Sequence, residues 1–174
     1  QGPIEVFGAS FLNAGTAAVV IKTIASKDIT FSTANSAFGY LTVTSAKGIA
    51  LNKKVSTGTG ALSMTYSAVD LSVDNDAELD SAGAMTLTAG SASYSLNGAD
   101  PLPIYAAGDL TVSSKISITG SSGALEVRST GTVTLSETVT SGGAITATGD
   151  HGCDGTGGVV ISDTVTSTDV TITG

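Results

Sequence analysis

One hexapeptide pattern returns along the whole chain: glycine, any residue, apolar, Thr or Ser, apolar, Thr or Ser. It stands as Gly39-Tyr40-Leu41-Thr42-Val43-Thr44, Gly60-Ala61-Leu62-Ser63-Met64-Thr65, Gly83-Ala84-Met85-Thr86-Leu87-Thr88, Gly108-Asp109-Leu110-Thr111-Val112-Ser113 and Gly143-Ala144-Ile145-Thr146-Ala147-Thr148. Strict alternation is the period of a strand, whose successive side chains point to opposite faces. Leu41, Val43, Leu62, Met64, Met85, Leu87, Leu110 and Val112 therefore share one face, which must be inside, and the hydroxyls point outward.

The spacing between copies says how the strands are arranged. Counting a further glycine at Gly123, the intervals are 21 (39 to 60), 23 (60 to 83), 25 (83 to 108), 15 (108 to 123) and 20 (123 to 143). A period of about 20 residues with scatter is that of a solenoid whose turns carry loops of unequal length. Each period holds two or three short alternating pieces separated by corners, such as 61–64, 69–73 and 77–79. The geometry that buries every apolar row is an all-β parallel β-helix, each strand pairing with its counterpart roughly 4.8 Å away in the next turn. About seven turns from residue 39 onward would give a rod body on the order of 35 Å long. Glycine before a strand is expected where a corner needs a backbone angle, or a close approach, that a β-carbon would obstruct.

Two segments depart from the pattern. Residues 1–38 hold all four phenylalanines, Phe7, Phe11, Phe31 and Phe38, and form either a cap or an atypical first pair of turns; 39–174 form the β-helix repeats. A cap is expected because an open β-helix end exposes core and unpaired strand edges. The other departure is the glycine-rich loop Asp150-His151-Gly152-Cys153-Asp154-Gly155-Thr156-Gly157-Gly158.

Composition narrows the partners. Seven basic against fifteen acidic residues give a formal charge of -8, with Arg128 the only arginine. Nucleic-acid affinity comes largely from Lys and Arg neutralising phosphates, so no nucleic-acid partner is expected, nor an anionic membrane surface. No apolar run reaches the length of a membrane-spanning helix, and no insertion into a membrane is expected. Cys153 is alone, which leaves no disulfide within the chain.

Stretches such as Gly60-Ala61-Leu62-Ser63-Met64-Thr65-Tyr66 and Gly108-Asp109-Leu110-Thr111-Val112-Ser113-Ser114-Lys115-Ile116-Ser117-Ile118 resemble the repeats of filamentous-haemagglutinin-type exoproteins of Gram-negative bacteria. The resemblance covers roughly residues 39–174. It implies a right-handed parallel β-helix, often exported by two-partner secretion, that is extracellular or at the cell surface and serves as an adhesin or a shaft. Residues 1–38 do not show the amino-terminal secretion domain of such exoproteins.

The expected role is thus non-enzymatic and structural or adhesive. Stacked turns with open ends favour end-to-end association of copies into a filament or shaft, besides contact with a host-surface or matrix ligand. Ile4, Val6, Phe7, Phe11, Val170 and Ile172 are the assembly candidates, the first three in an extended segment able to cover a neighbour's edge. The runner-up is a ligand face for ice or carbohydrate. Thr42, Thr44, Ser63, Thr65, Thr86, Thr88, Thr111, Ser113, Thr146 and Thr148 would form two parallel files resembling the faces of ice-binding β-solenoids, with Glu126 and Arg128 interrupting one turn.

Metal and catalytic chemistry find less support. Asp74, Asp76 and Asp80, with Asp70 and Glu78 nearby, are carboxylates that could supply calcium with several of its six to eight oxygens. No cofactor is expected unless calcium binds there, and the spacing fits no EF-hand loop. Asp150, His151, Cys153 and Asp154 make a metal cluster by residue type, yet ligands so close in sequence seldom close a tetrahedral site. With His151 the only histidine and Cys153 the only thiol, a nucleophilic triad would have to be built around one loop.

Overall fold

The computed structural model describes residues 3–8, 10–11, 18–24, 27–66, 71–73, 77–96, 102–118 and 124–174. Every described element is a strand, and every strand pairing is parallel, as a β-solenoid of about six turns of roughly 23 residues requires. Each turn visits three faces in the same order. The first carries Val19–Lys22, Leu41–Ser45, Leu62–Tyr66, the start of Met85–Leu96, the start of Leu110–Ile118, Thr132–Leu135 and Gly158–Ile161. The second runs from Ile4–Val6 through Ile29–Phe31, Ile49–Leu51 and Leu71–Val73 to Val139–Ser141 and Val165–Thr166. The third holds Ser10–Phe11, Ser36–Phe38, Val55–Thr57, Leu79–Ser81, Leu102–Ala106, Leu125–Ser129, Ala144–Thr148 and Asp169–Thr173.

The turn is longer than the expected 20 residues and varies, because each carries three strands and unequal corners. On the first face the step is 21 residues from Leu41 to Leu62 and 26 from Val133 to Val159. The interval of 15 from Gly108 to Gly123 is no turn at all, since the strands that follow these glycines, Leu110–Ile118 and Leu125–Ser129, lie on different faces. Met85–Leu96 and Leu110–Ile118 pass through a corner without breaking, which joins the first two faces into one hydrogen-bonded sheet.

Inward residues stack in columns along the axis. Val43, Met64, Leu87, Val112 and Leu135 follow one another in register on the first face, and all are buried. Val55, Leu79, Ile104, Val127 and Ala147 form the matching column on the third. Each column puts apolar against apolar at the strand spacing, and the described inward residues form one buried cluster.

The described strands within residues 1–38 join these ladders. Ile4–Val6 pairs with Ile29–Phe31, Ser10–Phe11 with Ser36–Phe38, and Val19–Lys22 with Leu41–Ser45. Phe31 and Phe38 are core residues, while Phe7 is exposed.

Not all hydroxyls point outward. Ser45, Thr57, Ser81, Ser129 and Ser141 are buried at the last position of their strands, two or three residues before a glycine. Ser45 Oγ donates to the Gly48 carbonyl at 2.7 Å and accepts the Lys47 N–H at 3.2 Å. Ser129 Oγ donates to Gly108 in the preceding turn at 2.6 Å and accepts the Gly131 N–H at 3.0 Å. A corner exposes backbone groups that no ladder satisfies, and these short side chains satisfy them from inside.

Candidate functional site

Register decides which outward residues share a face. Thr42, Ser63, Thr86, Thr111 and Thr134 follow one another turn by turn, and Thr44, Thr65, Thr88 and Ser113 run alongside. Thr146 and Thr148 do not belong to this array. They lie on the third face, in register with Glu126 and Arg128 on one side and with Thr171 and Thr173 on the other. Alternation marks a residue as inward or outward but carries no label for which of three faces it is on. The place expected for Thr146 is taken by Thr134, and the charged pair expected to break the files is on another face. The first file ends in Val20 next to Thr42 and in Val160 next to Thr134.

The third face carries a cluster of charged side chains. Along its outward row, Ser56, Asp80, Tyr105, Arg128 and Thr148 succeed one another in adjacent turns. The Lys54 ammonium lies 2.8 Å from Glu78 and 2.7 Å from Asp80. Burial works against that cation, but its hydrogen bonds and attraction to the two carboxylates prevail and hold its pKa above the ordinary lysine value. The Arg128 guanidinium pairs with Glu126 and sits over the Tyr105 ring, 5.5 Å from its centroid. The Tyr105 O–H donates to Glu126 at 3.1 Å. Burial first, then that bond to a carboxylate, raises the Tyr105 pKa, so the phenol stays protonated.

Beside this row, where each turn leaves the third face, a groove of about 450 Å³ opens. Asp80, Tyr105 and Arg128 line it together with the small corner residues Gly58, Ala82 and Ala107, and His151 stands at one end. The 150–157 loop is anchored there, the His151 N–H donating to Ser129 O at 2.8 Å and the Asp150 N–H to Gly131 O at 2.9 Å.

Asp80, one of the three calcium candidates, is thus the partner of Lys54; Asp74 and Asp76, with Asp70, lie outside the described residues. The loop carboxylates serve the loop. Asp150 accepts the N–H groups of Asp154 and Gly155, each at 2.9 Å, and Asp154 accepts both the hydroxyl and the N–H of Thr156. The Thr156 hydroxyl, then its N–H, holds the Asp154 pKa below the usual carboxylate value. Asp150 and Cys153 adopt left-handed backbone, and the Cys153 thiol is exposed. Among the described residues no three of His, Cys, Asp and Glu are grouped to hold a metal ion.

At the last turn, Val170 and Ile172 are 40% and 51% exposed although they stack in register on Ile145 and Ala147, which are buried. They occupy core positions that no described turn covers. Ile4 and Val6, at the opposite end, are half-buried and pack against the core. For Phe11 only the backbone pairing is described.

Comparison with protein-family models, with curated proteins and with solved structures finds no match to this chain.

Proposed function

We propose that the chain is a non-enzymatic, extracellular structural or adhesive β-solenoid, a shaft of the filamentous-haemagglutinin type that lengthens by stacking end to end on a second copy. The observation that carries this reading is the exposure of Val170 and Ile172 at core positions, in register on the buried Ile145 and Ala147. Val19–Lys22 and Gly158–Ile161 sit at equivalent positions on the first face, with Val20 and Val160 both turned outward and 64% and 49% exposed. Every residue between them in that file carries a hydroxyl. Continuing the ladder on the second face sets Val165 of one copy on Ile4 of the next, apolar on apolar. Such a contact is head to tail and does not close on itself, so it grows a filament. The same step sets Ser10–Phe11 of the next copy over Asp169–Thr173, the strand that carries Val170 and Ile172.

Negative-stain electron microscopy and sedimentation over a concentration series test it. The unaltered chain is expected to form filaments, and Ile172→Lys to shift half-assembly to a concentration at least about tenfold higher, since an ammonium would be sealed into an apolar joint. Separate short rods at every concentration would overturn the reading.

A second reading has one observation in its favour: the two hydroxyl files run without a charge from Thr42 to Thr134 and from Thr44 to Ser113. A regular, flat, hydroxyl-bearing face suits ordered water or a carbohydrate surface. The test is thermal hysteresis of freezing in dilute solution. Ice binding predicts hysteresis in the unaltered chain and its loss in Thr86→Lys; freezing without hysteresis, or hysteresis that Thr86→Lys leaves intact, sinks the ice reading.

A further inference from the structure

We propose that the third-face groove is a binding subsite for a neutral oligosaccharide lying along the solenoid axis. Its volume of about 450 Å³ falls within the size of small-molecule sites, roughly 300–1,000 Å³. Its lining extends from Thr57 to His151, across successive turns, a length of roughly 20 Å at the sheet spacing. An extended oligomer fits that shape better than a single ring.

The chemistry of the lining selects the ligand. The lining carries one carboxylate, Asp80, and one guanidinium, Arg128, each already paired, so an anionic ligand meets no net attraction. A cationic one would have to displace Lys54 or Arg128 from carboxylates they already hold. An apolar ligand would strip water from Asp80, Arg128 and His151 without replacing its hydrogen bonds. A polyhydroxylated ring avoids these costs. Its hydroxyls can donate to Asp80, which meets Lys54 through Oδ2 and keeps Oδ1 as an acceptor, and accept from Arg128 N–H groups beyond the one facing Glu126. Its C–H faces can rest on the methyl groups of Ala82 and Ala107 and on the Tyr105 ring.

These groups are also set in place before any ligand arrives. Lys54 fixes Asp80, Glu126 fixes both Arg128 and the Tyr105 hydroxyl, and Arg128 in turn lies over one face of the ring. Little side-chain freedom is left to lose on binding, which favours a rotamer-rich ligand such as a glycan. The site does not depend on stacking between copies, because every residue in it belongs to interior turns or to the loop beside them.

The test is a titration of the full chain with cellotetraose, mannotetraose and maltotetraose, and with tetragalacturonate as the charged comparator, followed by calorimetry. At least one neutral tetrasaccharide is expected to saturate the protein at millimolar concentration or below. Tyr105→Ala and Asp80→Asn are each expected to weaken that binding about tenfold, the size of one lost ring contact or charged hydrogen bond. Thr140→Ala, on the second face, leaves it unchanged. Asp80→Asn preserves shape and keeps the test sound if Tyr105→Ala disturbs folding, which circular dichroism reports. The proposal fails if none of the neutral sugars saturates, if tetragalacturonate alone binds, or if Asp80→Asn binds as tightly as the unaltered chain.

Discussion

Leu87→Ala is expected to lower the free energy of unfolding by about 2–5 kcal/mol, the range for emptying a buried leucine site. Leu87 is fully buried and stands midway in the column of Val43, Met64, Val112 and Leu135. Its neighbours above and below are tied to it by ladder hydrogen bonds, so they cannot close in on the cavity without giving up pairing. In a solenoid each turn contacts only the turns beside it, so a weakened middle turn loosens its coupling to both halves. Ile172→Ala makes the contrast. That side chain is already half in solvent, and the truncation is expected to cost less than about 1 kcal/mol. Urea unfolding followed by circular dichroism compares the two. Equal shifts in midpoint would mean that the central column is not what binds the turns together.

Much of this architecture is written in the chain, and the parts that are not share one cause. Alternation through Leu41-Thr42-Val43-Thr44 or Leu125-Glu126-Val127 reports inside and outside without ambiguity, and the structure buries the apolar member each time. What alternation cannot convey is rotation about the axis. Thr146 and Thr148 carry the motif in full yet lie a face away from Thr86 and Thr88, because Gly143 opens a third-face strand where Gly83 opens a first-face one. Corners also go unannounced where the strand runs on, as from Val112 through Ser114 to Ile116 without glycine or proline. The groove was hidden for the same reason. Asp80, Tyr105 and Arg128 look scattered at intervals of 25 and 23 residues, but Met85, Leu110 and Val133 step by the same 25 and 23. Once the turn lengths are read from the first face, those offsets place the carboxylate, the phenol and the guanidinium side by side on the third. The buried hydroxyls, too, had a signal in the glycine that follows each of them at a corner, as after Ser45, Ser81 and Ser129.

Gly108→Val is expected to destabilise the protein by more than the roughly 1–3 kcal/mol typical of overpacking a well-filled site. Of the two reasons for a corner glycine, an unusual backbone angle does not apply here, since Gly108 is not among the residues with positive φ. Close approach does. A β-carbon on Gly108 would lie 2.9 Å from the Ala84 nitrogen and 3.1 Å from the Gly83 carbonyl carbon, both backbone atoms of the turn beneath. Neither can retreat cheaply, because the Met85 N–H donates to Asp109 O at 2.8 Å and fixes the spacing of the two turns at that corner. Valine adds two further methyl groups to a space too small for the first. The control is Gly152→Ala in the 150–157 loop, where a β-carbon meets nothing within 4 Å and the change is expected to stay within about 0.5 kcal/mol. Thermal unfolding of both variants decides the matter, and a Gly108→Val melting temperature as high as that of Gly152→Ala would refute the close-approach account. The effect should also reach both surfaces built on that joint. Prying these turns apart separates Thr86 from Thr111 on one face and Asp80 from Tyr105 on another, so the close approach at Gly108 bears on both outward rows.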